Sequence, residues 1–109
     1  MIIGETIGDE FGTSVASAGD INGDGKKDII IGAPKARGSN NAVSAGRAYI
    51  LYNLIHPSGE LVVNGLPTTV GYIVYGDDSD DFLGCSVSTA GDINSDTYSD
   101  VIIGAYGYN

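Results

Sequence analysis

The sequence predicts an all-β protein assembled from repeated β-propeller blades, each an antiparallel four-stranded sheet. Three observations carry that expectation. Residues 12–33 recur without a gap as residues 84–105, with 14 of 22 positions identical at an offset of 72 residues. Short β-branched runs bounded by turn residues are frequent, and no window joins a helical apolar period to caps at both ends. A 72-residue period is far too long for one rung of a β-solenoid and suits a four-stranded blade with generous loops.

The strands can be read in order. Residues 12–19 and 84–91 are runs of small residues centred on Val15 and Val87, in which glycine permits close backbone approach. Asp28–Ala33 (Asp-Ile-Ile-Ile-Gly-Ala) and Asp100–Ala105 (Asp-Val-Ile-Ile-Gly-Ala) are β-branched and end in small residues, as suits a strand buried on both faces. Residues 47–52 (Arg-Ala-Tyr-Ile-Leu-Tyr) read as a third strand of the unit. Two further candidates, 60–63 and 70–75, are set off by turns at 57–59 (Pro-Ser-Gly) and 64–67 (Asn-Gly-Leu-Pro).

Length and period divide the chain unevenly. The 109 residues hold a first unit at 1–75 and part of a second at 76–109, about one and a half blades. One repeat cannot bury its apolar face alone, and about three are usually needed. The expected partners are therefore further blades or other copies of the chain.

Composition narrows the function classes. Five basic against 14 acidic residues give a net charge of −9, which disfavours nucleic-acid backbones and anionic membrane surfaces. A hydrophobic content of 42% separates the chain from disordered acidic tails. Apolar runs such as Ile29-Ile30-Ile31 fall far short of the roughly 20 residues of a membrane-spanning helix. The segment also carries no signal-peptide pattern. One cysteine, Cys85, makes no internal disulfide and reads as a small strand residue.

The acidity is concentrated in two equivalent loops. In Asp20-Ile21-Asn22-Gly23-Asp24-Gly25-Lys26-Lys27-Asp28, oxygen ligands fall at positions 1, 3, 5 and 9, with glycine at position 6. Ca²⁺ takes six to eight hard oxygens, and alternate residues of a tight loop direct theirs inward. Asp20, Asn22, Asp24 and Asp28 are the side-chain candidates, and Lys26 contributes its backbone carbonyl only. The loop begins like an EF-hand, but position 12 is Ile31 rather than glutamate and the flanks are strands. It is better read as a β-hairpin connection wrapped around one cation. The second loop offers Asp92, Asn94, Asp96 and Asp100, with the carbonyl of Tyr98. Thr97 stands where the first loop has Gly25, so weaker binding or an altered turn is expected there. Two structural Ca²⁺ ions are thus expected. A further acidic run, Asp77, Asp78, Asp80 and Asp81, reads as a solvated loop.

Phe11-Gly12, then Gly19-Asp20-Ile21-Asn22-Gly23-Asp24-Gly25, then Asp28-Ile29-Ile30-Ile31-Gly32-Ala33-Pro34 resemble an FG-GAP repeat, the unit of integrin α-chain β-propellers. Similar repeats occur in bacterial surface proteins and in glycosylphosphatidylinositol-specific phospholipase D. Gly46-Arg47-Ala48-Tyr49-Ile50-Leu51-Tyr52 resembles the strand that follows in such blades. The second copy departs from the pattern: Leu83 intervenes between Phe82 and Gly84, and Tyr106 replaces the proline. The resemblance implies a seven-bladed propeller whose cations are structural and lie opposite the main ligand-binding surface. It also implies an extracellular or cell-surface adhesion module, with a protein or glycan ligand.

Nothing in the chain argues for catalysis. The single histidine, His56, lies in a turn-like Pro-Ser-Gly context, and no nucleophile elbow, phosphate loop or zinc spacing is present. The alternative reading is the non-catalytic propeller part of a secreted hydrolase, such as a phospholipase D-like enzyme.

Overall fold

The computed structural model describes residues 2–23, 25–52, 61–62, 70–96 and 98–107. Among the described residues eight strands follow one another: β1 (Ile2–Ile3), β2 (Ser14–Gly19), β3 (Asp28–Ala33), β4 (Arg47–Leu51), β5 (Leu61–Val62), β6 (Gly71–Tyr75), β7 (Leu83–Gly91) and β8 (Asp100–Ala105). Among the described residues the helical content is one 3₁₀ turn at Ser39–Asn41. The architecture is all-β, as the repeat pattern predicts.

The strands β2-β3-β4-β6 form a four-stranded antiparallel sheet in that order, the layout of a propeller blade. The strands β7 and β8 form an antiparallel hairpin equivalent to β2–β3. The candidate strand at 60–63 is described only as Leu61–Val62. It pairs in parallel with Ile2–Ile3 rather than extending the blade. The turns at 57–59 and 64–67, and His56, lie outside the described residues.

Alternation along the ladder sends successive side chains to opposite faces. Ile31 pairs with Tyr49 and Tyr49 with Ile73, so these three share one face. There Ile31, Ala33, Ala36, Tyr49 and Leu51 form a core closed by Ile2, Phe11 and Ile73. Ala16 pairs with Ile30 and Ile30 with Ile50 on the other face. That face buries Ala18, Ile30, Ala48 and Ile50 beneath Leu83, Val87, Val101 and Ile103 of the second hairpin. From Ile30 to Ala33 β3 is therefore covered on both sides, while Ile29 stays partly exposed.

The two sheets are in close contact at Gly32. A Cβ there would run into the carbonyl of Gly84, and Ser14 Oγ donates to that same carbonyl at 2.8 Å. Leu83 is tied to the first sheet through its N–H, which donates to Ala45 O at 2.8 Å. These contacts lie at the end of β3 remote from Asp28. The same end holds a polar cluster around Arg47. Its guanidinium pairs with Glu5 at 2.8 Å, donates to the carbonyl of Arg37 and lies 4.9 Å from the Tyr75 ring centroid. Tyr49 donates its hydroxyl to Glu5 at 3.2 Å. Burial, partly opposed by Arg47, pushes the Tyr49 phenol up to about 12.

Candidate metal centre

The Asp-rich loops join β2 to β3 and β7 to β8, at the opposite end of the sheets from Arg47. In the first loop the half-buried Asp20 shapes the turn. Its Oδ1 accepts the Gly23 N–H at 2.8 Å and its Oδ2 accepts the Gly25 N–H at 2.9 Å. Gly23 and Gly25 have φ of 76° and 80°, a region glycine enters without a steric penalty. Asp28 is wholly buried at the start of β3, where its Oδ2 accepts the Ile21 N–H at 2.9 Å. Asn22 and Lys26 are exposed. Asp24 lies outside the described residues.

The second loop repeats part of this wiring. Asp100 Oδ2 accepts the Ile93 N–H at 2.9 Å, the equivalent of the Asp28–Ile21 bond. Asp92 Oδ1 accepts the Asp96 N–H at 3.0 Å, and Asp96 Oδ1 accepts the Tyr98 N–H at 2.9 Å. Thr97 lies outside the described residues. Left-handed backbone in the described part of this loop falls on Ser95, the counterpart of Gly23, with φ 60°. A non-glycine residue there bears a cost of about 1 kcal/mol.

Asp92, Asp96 and Asp100 each present one carboxylate oxygen such that all three atoms lie within 4.8 Å of one another. Anionic oxygens this close repel unless they share a proton or a cation. The donor set is hard, anionic and oxygen-only, which fits Ca²⁺ better than a soft transition metal. Asp92, Asn94 and Asp96 are exposed and Asp100 is half-buried, so the cluster is open to solvent. Each carboxylate also holds a backbone N–H, and these bonds keep the side chains turned into the loop.

The loops touch one another. The Asp20 N–H donates to Ser99 Oγ at 3.1 Å, and the Ser99 N–H donates to the Asp20 carbonyl at 2.9 Å. The exposed Tyr98 lays its ring against Gly23, where a Cβ would collide with it. A crevice of about 590 Å³ lies beside this contact, lined among others by Ile21, Tyr72, Ile93 and Asp96. Sequence reasoning missed Ser99 and the Tyr98 ring. Their repeat counterparts are Lys27 and Lys26, which carry no hint of an inter-loop contact.

The remaining polar candidates are dispersed. Asp77, Asp78 and Asp80 are exposed as expected of a solvated run, but Asp81 is buried and accepts the Asp78 N–H at 3.3 Å. That carboxylate belongs to the packing of the turn. Asp9, its repeat counterpart, is half-buried, and burial raises its carboxyl above the usual range despite the nearby Arg47. Cys85 is half-buried rather than fully enclosed, with its thiol donating to the Gly104 carbonyl at 3.5 Å.

Comparison with known proteins bears on this geometry. The family model described as the FG-GAP repeat matches residues 11–51, from Phe11 through the first Asp loop to the end of β4. The chain carries an FG-GAP repeat. It is 36% identical over 112 residues to integrin alpha-PS2 of Drosophila melanogaster, covering 95% of this chain and 7% of that protein. It is 34% identical over 107 residues to integrin alpha-IIb of Mus musculus, covering 94% and 9%. Integrin alpha-3 of Cricetulus griseus is 31% identical over 105 residues, covering 96% and 9%. The chain thus spans less than a tenth of the length of these relatives.

The FG-GAP motif residues have identifiable jobs in the packing. Phe11 meets Tyr49 edge-on at 5.1 Å, closing one core face of the blade. Gly32 lies against Gly84 of the next repeat with no room for a Cβ. In the second repeat Phe82 instead stacks on Tyr106 at 5.1 Å, and Leu83 takes up a position against the inter-sheet core. Tyr106 stands where the first repeat has its proline, and Phe82 is set off from Gly84 by Leu83. No helix among the described residues is long and apolar enough to cross a membrane.

Proposed function

We propose that this chain is a calcium-stabilised FG-GAP segment of a β-propeller belonging to a cell-surface adhesion protein. The convergence of Asp92, Asp96 and Asp100 carries the cation reading. Asn94 and the Tyr98 carbonyl complete that site. The first site uses Asp20, Asn22, Asp24, Asp28 and the Lys26 carbonyl. Residues 1–75 form the first blade unit and 76–109 part of the next. The similarity to integrin α chains supports the adhesion assignment and the cell-surface location, and no residue is given a catalytic role.

The ion's contribution is structural: it neutralises carboxylates that otherwise repel and holds each hairpin loop closed. A ligand bound only by the folded form stabilises it by mass action, by about 2.7 kcal/mol at a hundredfold excess over the dissociation constant. Calorimetric titration of the chelator-stripped chain with Ca²⁺ tests this. Saturable binding is expected, together with a melting temperature several degrees lower in chelator. An identical melt with and without chelator would falsify the structural-calcium reading.

A further inference from the structure

The first Asp loop contains a chemically fragile pair. Asn22 is followed by Gly23, and both are exposed. In such a pair the glycine backbone nitrogen can attack the asparagine side-chain carbonyl carbon, unhindered by a Cβ. The Gly23 N–Asn22 Cγ bond forms, the Cγ–Nδ2 bond breaks, and the Gly23 amide proton leaves with the side-chain nitrogen as ammonia. Water then opens the cyclic imide. Opening at Cγ gives aspartate, and opening at the Asn22 backbone carbonyl gives isoaspartate. The Gly23 nitrogen becomes nucleophilic only as it gives up its proton, and that proton is held: Asp20 Oδ1 accepts the Gly23 N–H at 2.8 Å. Negative charge growing on the nitrogen would face this carboxylate, an unfavourable like-charge contact. The Tyr98 ring lies against Gly23, and Asp20 is itself fastened by two bonds to Ser99, so the peptide is also restrained from turning toward the side chain.

We propose that Asn22 is a deamidation site held latent by the Asp20 carboxylate. The second repeat lacks the pair: Ser95 follows Asn94 where Gly23 follows Asn22, and Asp92 Oδ1 accepts the Asp96 N–H at 3.0 Å. A serine side chain hinders the same attack, so the vulnerability belongs to the first loop. The isoaspartyl product lengthens the backbone by one methylene between Ile21 and Gly23, which moves Gly23 and Gly25 out of register with Asp20. Asp20 also carries the bonds to Ser99, so modification is expected to loosen the contact between the loops. The aspartyl product keeps the backbone and adds a carboxylate beside Asp20. This inference rests on the bonds of Asp20 and not on a cation.

Peptide mapping by mass spectrometry tests it on the full chain, incubated at neutral pH with calcium or with chelator. In urea the guard is absent, and Asn22 is expected to convert at a rate close to that of Asn64, which precedes Gly65 in the chain's other Asn-Gly pair. In the native wild type a hydrogen bond to a charged acceptor must first be given up, so conversion at Asn22 is expected to be slower by about ten- to a hundredfold. Asp20→Ala is expected to recover most of that factor. Asp20→Asn keeps an acceptor oxygen without the charge and is expected to fall between the two. Asp28→Ala loosens the same loop at Ile21 but keeps the Asp20 acceptor, and Asn22 is expected to stay slow there. That comparison separates the guard from general loosening, and a urea melt of each variant reports that it folds.

Three results overturn the proposal: a native wild type that converts as fast as the denatured chain, folded Asp20 variants no faster than wild type, or an Asp28→Ala variant as fast as Asp20→Ala. Suppression that needs calcium would assign the guard to the ion and overturns it as well. A wild type that converts rapidly and whose melt responds to calcium defeats the guard and leaves the cation reading intact. Slow conversion in chelator, with a melt that ignores calcium, supports the guard and defeats the cation reading.

Discussion

The two Asp-rich loops share their chemistry and differ in their surroundings. Asp28 and Asp100 hold equivalent backbone N–H groups at the same 2.9 Å, yet Asp28 is wholly buried and Asp100 half-exposed. Ile30 and Ile102 differ more, at 0% and 58% exposure. Ile30 is enclosed because the second repeat lies on its face of the sheet. Near-identical sequence therefore sets the local wiring, while the neighbour sets the energetic weight of each residue.

The largest test of that contrast is truncation of the paired isoleucines. Ile30→Ala empties a closed core position and is expected to cost about 2–5 kcal/mol in a urea melt. Ile102→Ala, at low protein concentration, is expected to cost less than about 1 kcal/mol. Equal losses would mean that the hairpin does not protect the first sheet.

An intermediate effect is expected at the buried carboxylate. Asp28→Ala leaves the Ile21 N–H without its acceptor in a part-buried loop, at a cost of about 1–3 kcal/mol. Asp100→Ala removes the equivalent bond where the surroundings are exposed, so about 1 kcal/mol or less is expected. Measuring both in chelator separates this backbone role from any cation. Matching values would break the distinction between the loops.

The smallest effect is at the loop-to-loop contact. Ser99→Ala removes the hydroxyl that accepts from Asp20 and is expected to lower stability by about 0.5–1.5 kcal/mol. Its exposed counterpart Lys27→Ala is expected to stay within about 0.5 kcal/mol of wild type. Ser99→Ala is also expected to weaken the first cation site rather than the second. A uniform effect on both sites would mean that the loops do not communicate through this bond.

Much of the fold was legible because the repeat exposes it. The offset of 72 residues aligns β2–β3 with β7–β8, and β-branched runs mark β3 and β8. Strand ends shifted by a residue or two where the backbone enters a turn, as at 12–13 before β2. The spacing of acidic residues pointed to Asp92, Asp96 and Asp100, whose carboxylates the fold brings together. Three features were not legible, and each depends on a distant neighbour. Ser99 reaches Asp20 across 79 residues of chain. Glu5 reaches Arg47 and Tyr49 across the top of the blade. Leu61–Val62 finds a parallel partner in Ile2–Ile3, which no local pattern announces.

The absent side chain at Gly32 has a mechanical consequence. With Gly84 pressed against it, the hairpin is pinned at one end of the sheet, while the crevice opens at the other. The paired bonds between Asp20 and Ser99 close the contact at that other end. A methyl group at position 32 would act as a wedge between the two sheets, so Gly32→Ala is expected to pry the second repeat away from the first.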